Sequence, residues 1–136
     1  MNSSLEHYLI EHYPLMYRDY GMIKIRPGTP FSPMAFGFEC GDGWFRIIRE
    51  LSELIFSHLA KLEKSDDFYI LQVKEKFGTL RYYASWEDQV ISKYIQNAEK
   101  ESAKTCETCG AKGKLYAQGW WVTLCPRHYK EWKNKS

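Results

Sequence analysis

Residues 105–128 read Thr-Cys-Glu-Thr-Cys-Gly-Ala-Lys-Gly-Lys-Leu-Tyr-Ala-Gln-Gly-Trp-Trp-Val-Thr-Leu-Cys-Pro-Arg-His. Two pairs of soft or borderline ligands, Cys106/Cys109 and Cys125/His128, are each separated by two residues, and fifteen residues from Gly110 to Leu124 lie between the pairs. A two-residue gap lets one tight turn present two donors to the same ion, and zinc takes four thiolate or imidazole donors in a tetrahedron. Cys106, Cys109, Cys125 and His128 are therefore expected to hold one zinc ion. Four protein donors leave no coordination position for water, so the expected role is structural. A zinc deaminase would also place a Glu two residues after the ligand His, and residue 130 is Lys.

Within this stretch Lys114–Ala117 and Trp120–Leu124 read as strands joined at Gln118-Gly119. Pro126 suits the first turn of a helix that continues through Tyr129 to Lys135. A knuckle, a hairpin and a ligand pair at a helix start resemble a treble-clef zinc module. Residues 105–136 are assigned to this module and residues 1–104 to an α+β body on which it packs.

Upstream, Leu5, Tyr8, Leu9 and Tyr13 recur at helical spacing until Pro14 ends or kinks the segment. Residues 21–43 are rich in Pro and Gly and read as loop, with short strands expected at Met22–Arg26 and Ala35–Phe38. The clearest helix carries Trp44, Ile47, Ile48, Leu51, Leu54, Ile55, His58, Leu59 and Leu62 on one stripe, with Asp42 as its expected N-cap and Ser65-Asp66-Asp67 as its stop. Phe68–Val73 and Thr79–Ala84 read as strands joined by a bulged hairpin with Gly78 at a positive φ. Leu80 and Tyr82 should share one face and Arg81 and Tyr83 the other. A further helix is expected over Trp86–Ala103, opened by a capping box at Ser85–Asp88 and burying Val90, Ile91, Tyr94, Ile95 and Ala98. The fold class is α+β: helices packed on a β-hairpin, then the zinc module.

The 136-residue chain has length for one substantial core. Its opening residues lack the basic region of a secretion signal, and no apolar run approaches a membrane span of about 20 residues. Metal-type cysteine spacing favours a reducing compartment, so the cytoplasm is expected. Cys40 lies outside the quartet and reads as a small buried residue. The formal net charge is +2, but Lys and Arg number 10 against 13 acidic residues through Val90 and 9 against 4 from Ile91 onward. That basic excess fits either a phosphate-facing patch or a solvated terminal helix.

Aromatic residues make up 16% of the chain, with ten Tyr and five Trp. Lys74, Lys76, Arg81, Tyr83 and Trp120 combine charge with rings and are the candidate ligand-binding set. The N-terminus of the long helix, at Cys40-Gly41-Asp42-Gly43-Trp44, fits either an anion site or a capping turn. No Ser/His/Asp arrangement, phosphate-binding loop or paired carboxylates with a partner base are present.

Three strings together, Phe38–Trp44 (FECGDGW), Gln72–Tyr83 (QVKEKFGTLRYY) and the Cys106–His128 pattern with Gly119-Trp120 and Thr123-Leu124, resemble a group of small bacterial and phage proteins. The likeness runs from about residue 35 to residue 128. It implies a phage or mobile-element setting and no particular reaction. Three functional classes follow: a non-enzymatic binder of nucleic acid or nucleotide, an adaptor or inhibitor that engages a host protein, and a nucleotide-directed enzyme.

Overall fold

The computed structural model describes residues 1–22, 32–63 and 65–135. Helix α1 (Ser3–His12) is capped by the Asn2 carboxamide, which accepts from the Leu5 N–H. A short 3-10 helix at Pro33–Phe36 leads into strand β1 (Phe38–Glu39). The expected strand at Ala35–Phe38 is thus only partly a strand, because Pro33 and the Ser32 cap favour a tight helical turn. The strand expected at Met22–Arg26 lies outside the described residues beyond Met22.

Helix α2 (Phe45–Leu59) follows a second 3-10 turn at Asp42–Trp44. Its apolar stripe buries Ile47, Ile48, Leu51, Ile55 and Leu59, whereas Leu54 is half exposed. The helix stops at Leu59, six residues ahead of the expected Ser65 signal. Asp42 is not its N-cap. Its carboxylate instead accepts from the backbone and side-chain N–H groups of Asn2, tying the α1 cap to the α2 entry.

Strands β2 (Ile70–Lys76) and β3 (Thr79–Ala84) are antiparallel, and β1 pairs with β2 in parallel, giving a three-stranded mixed sheet in the order β1-β2-β3. The expected hairpin is therefore part of a wider sheet. Its turn has two residues, Phe77 and Gly78, with φ of 53° and 81°, and carries no bulge; the register shift falls at Ile70/Gln72. Two positive φ values define a mirror-image turn whose twist matches that of the strands.

Helix α3 (Gln89–Ser102) is shorter than expected and starts at its own cap. The Asp88 carboxylate accepts from the Ile91 N–H, so the Ser85 box is not used, and Val90 is 40% exposed. Helices α2 and α3 pack on each other and cover the sheet face that carries Val73, Leu80 and Tyr82. Two α3 side chains also satisfy the edge of β3: the Ser102 hydroxyl accepts from Leu80 N–H and the Glu99 carboxylate from Tyr82 N–H. An exposed edge would present those donors to other chains, so the helix closes it.

The core is satisfied in its polar groups as well. A hydroxyl chain runs from Tyr82 to Tyr17 (2.7 Å), from Tyr17 to Ser52 (2.6 Å) and from Ser52 to the Ile48 carbonyl (2.7 Å). Among the described residues no buried side-chain N or O lacks a partner. The chain ends in strands β4 (Lys114–Tyr116) and β5 (Val122–Leu124), an antiparallel pair, and helix α4 (Pro126–Lys135). The expected strands were longer by one and two residues. The class is α+β. Among the described residues no helix is long and apolar enough to cross a membrane.

Candidate metal centre and adjoining aromatic groove

The four expected ligands converge. All their donor atoms lie within 4.8 Å of one another. Cys109 Sγ and Cys125 Sγ are 3.9 Å apart, and His128 Nδ1 lies 3.6 Å from Cys106 Sγ and 3.2 Å from Cys125 Sγ. Bonds of about 2.0–2.3 Å to a central ion give tetrahedron edges of about 3.5–3.8 Å, so the cluster has the size to hold one metal ion.

Local structure explains the convergence. The Gly110 N–H donates to the Cys106 carbonyl (2.9 Å) and closes the knuckle. On the other side Cys125 precedes α4, and its sulfur accepts from the His128 N–H at 3.5 Å, in the place of an N-cap oxygen.

Burial pushes the Cys106 thiol up, but the backbone N–H groups of Cys125, Cys109 and Thr108 outweigh it and bring it down to about 6. Cys109 accepts from Ala111 N–H, which lowers it, yet burial and the Cys106 and Cys125 sulfurs shift it upward overall. Three neighbouring sulfurs cannot all ionise without a cation, which is the condition a dication relieves. The imidazole keeps Nδ1 for the ion, while Nε2 faces Glu131 at 4.0 Å and Arg127 at 3.2 Å. The carboxylate is the better second partner, because a Nδ1-bound imidazole carries its proton on Nε2.

The GDGW turn is the seat of this knuckle. Gly43 N–H donates to the Glu107 carbonyl (2.8 Å), Gly41 N–H to the Glu107 carboxylate (2.9 Å), and the Trp44 indole N–H to the Thr105 carbonyl (2.9 Å). A Cβ on Gly43 would overlap the Cys106 carbonyl oxygen and come within 2.6 Å of Glu107 C and Gly110 N. The anion-site reading of this turn therefore fails for a free ligand: the anion in place is Glu107.

The module grips the sheet at a second point. Thr123 Oγ1 donates to the Gly78 carbonyl at 2.6 Å, and a Cβ on Gly78 would lie 2.6 Å from Leu115 Cδ1. The three sequence strings thus meet at one junction, with the knuckle on GDGW and the β4-β5 hairpin on the Phe77-Gly78 turn.

Beside that junction the two hairpin tips leave a groove of about 530 Å³, lined by Glu75, Lys76, Phe77, Gly119, Trp120 and Trp121. Trp120 is 73% exposed, Phe77 61% and Trp121 43%. Phe77 and Trp121 meet edge to face with centroids 6.1 Å apart, and Lys76 Nζ lies 5.6 Å from the Phe77 centroid.

Of the sequence-level candidates, Lys76 and Trp120 line this groove. Lys74, Arg81 and Tyr83 do not, but they share a strand face with Lys76 on the sheet's outer side, since Lys74 pairs with Arg81 and Gln72 with Tyr83. Sequence reasoning missed Phe77 and Trp121. The signal for Trp121 was present, since two consecutive Trp after a turn glycine cannot both point into a core. Cys40 is buried and separate from the quartet, and burial pushes its thiol up to about 12. No protein-family model, curated protein or solved structure matches this chain.

Proposed function

We propose that the protein is a zinc-stabilised, non-enzymatic binder of a phosphate-bearing ligand with a flat base, a nucleotide or nucleic acid. A Cys₃His donor set supports zinc over harder ions, and four protein donors support a structural role. The zinc module holds the two hairpin tips together and so builds the binding groove.

The observation that carries the reading is Phe77. Among the described residues it is the only non-glycine with positive φ, at 53°, and its ring is 61% exposed. The first position of such a turn favours Asn, Asp or Gly, and a bulky side chain there costs about 1–2 kcal/mol. An exposed ring offsets little of that cost. Strain of this kind collects at ligand sites, and here the ring stands beside Trp120, Trp121 and an ammonium.

A second reading is a host-protein partner, favoured by a mainly apolar groove of about 310 Å³ where Leu15 (66% exposed) and Phe56 (49%) border Phe68. It suits an adaptor from a mobile element.

Titration of a nucleotide panel and short nucleic acids, followed by tryptophan fluorescence at low and moderate salt, separates the two readings. Quenching by phosphate-bearing ligands, weakened in Trp120→Ala and Phe77→Asn, is expected. Phe77→Asn should at the same time raise stability by about 1 kcal/mol. No quenching by any of these ligands at low salt would leave the protein-partner reading in its place.

A further inference from the structure

Resting on that reading, we infer that the ligand is a single strand of nucleic acid, laid across the outer face of the β2-β3 hairpin with its bases stacked at the two ends. The track is read from the register. Lys76, Lys74, Arg81 and Tyr83 share one face of the paired strands, and Lys76 continues into the aromatic groove. From Thr79 to Tyr83 the strand advances about 13 Å at about 3.3 Å per residue. Rings therefore mark both ends of the path, Phe77, Trp120 and Trp121 at the turn and Tyr83 (41% exposed) at the other. The cations lie between them.

Lysines two residues apart on a strand are about 6.6 Å apart along it, a step suited to successive phosphates of an extended chain. A duplex keeps its base faces stacked on one another and offers them to no side chain, so a platform of exposed rings has use only for unpaired bases. A mononucleotide would leave most of the track empty. Glu39, exposed and paired in register with Lys74, closes the far side by repelling phosphate and confines the strand to β2-β3. Glu75 lies at the groove but is engaged, accepting from the Gly78 N–H at 2.7 Å. Gln72 and Thr79 are the uncharged polar side chains on this face, and the cations and rings that make up the rest of the track bind phosphate and base faces without reading sequence.

Three phosphate contacts, from Lys74, Lys76 and Arg81, predict a salt slope of about −0.7 per contact, which is about a twentyfold loss of affinity between about 50 and 200 mM salt. Lys76→Ala with Arg81→Ala leaves one contact and should reduce that loss to about threefold. Trp120→Ala should lower affinity about fivefold or more with the salt slope unchanged, because stacking releases no counterions.

The test is fluorescence titration of the full chain with an oligothymidylate, an oligouridylate, a duplex of equal length and thymidine monophosphate. Circular dichroism and metal content confirm that each variant is folded. Tight binding of either oligonucleotide, with those two separable effects, is the expected result, and the better of the two identifies DNA or RNA as the source. Equal or tighter binding of the duplex or the monophosphate would overturn the single-strand assignment and leave the phosphate-ligand reading standing. Failure of all four at low salt would overturn both.

Discussion

Replacing Gly43 by Ala tests whether the metal module and the body are joined as described. The new methyl group would overlap the Cys106 carbonyl oxygen and approach Glu107 C and Gly110 N at 2.6 Å, all of them backbone atoms that cannot rotate away. Overpacking of this kind costs about 1–3 kcal/mol. If the knuckle lifts to relieve it, three hydrogen bonds weaken: Gly43 to Glu107, Gly41 to the Glu107 carboxylate, and the Trp44 indole to Thr105. At about 1 kcal/mol each net, their loss would replace the overpacking cost with about 3 kcal/mol, so about 3 kcal/mol is the expected upper value either way. Gly119→Ala is the control, with open space around the site and only a positive φ of 65°, for which about 1 kcal/mol is expected. Urea denaturation followed by tryptophan fluorescence measures both losses, and amide exchange across residues 41–45 and 105–111 locates them. The metal should stay bound, because all four ligands belong to the module. If Gly43→Ala costs no more than Gly119→Ala, or leaves exchange at residues 105–111 unchanged, the docking argument is wrong.

The hydroxyl chain in the core predicts an asymmetry. Tyr17→Phe strands the Tyr82 O–H, which is 1% exposed, and should cost about 1–3 kcal/mol, whereas Tyr82→Phe removes only the terminal donor and should cost about 1 kcal/mol; equal losses in denaturation would reject the assigned donor order. Cys40→Ala should keep the metal content of the parent and lose about 1 kcal/mol, and the Cys40 thiol should resist alkylation in the folded protein at about pH 8, because burial holds it near 12. Asp88 is held below the usual carboxylate range by the Ile91 N–H and by His58 at 2.6 Å. Its contribution is therefore fully present above the unfolded value of about 3.9 and is lost as pH falls through the lower folded value. Asp88→Asn should flatten the acid limb of the stability curve, and an unchanged limb in urea melts at low pH would contradict this.

The metal quartet was legible in the sequence because ligand spacing encodes one local turn at a time, and a complete set needs no tertiary knowledge. The α2 stripe and the alternation of Leu80/Tyr82 against Arg81/Tyr83 were legible for the same reason, since each period is local. The parallel pairing of β1 with β2 was not, because a two-residue strand carries no periodicity of its own. Asp42 stands where an N-cap belongs, but Asn2, forty positions away, offers it two donors. The glycines of GDGW fit either an anion site or a capping turn, and their cause is a close backbone approach by Cys106 and Glu107 that no neighbouring residue announces. Phe77 is not legible in the sequence, because a left-handed φ at that position follows only from the loop length between Lys76 and Thr79.

The account stands or falls on the proposed ion that would join the knuckle to the start of α4, and elemental analysis of protein purified without added metal or chelator tests it most directly. One zinc per chain is expected in the parent and none in Cys109→Ser, with the C-terminal module melting ahead of the body once the metal is stripped. A parent protein that is metal-free and fully folded would contradict it.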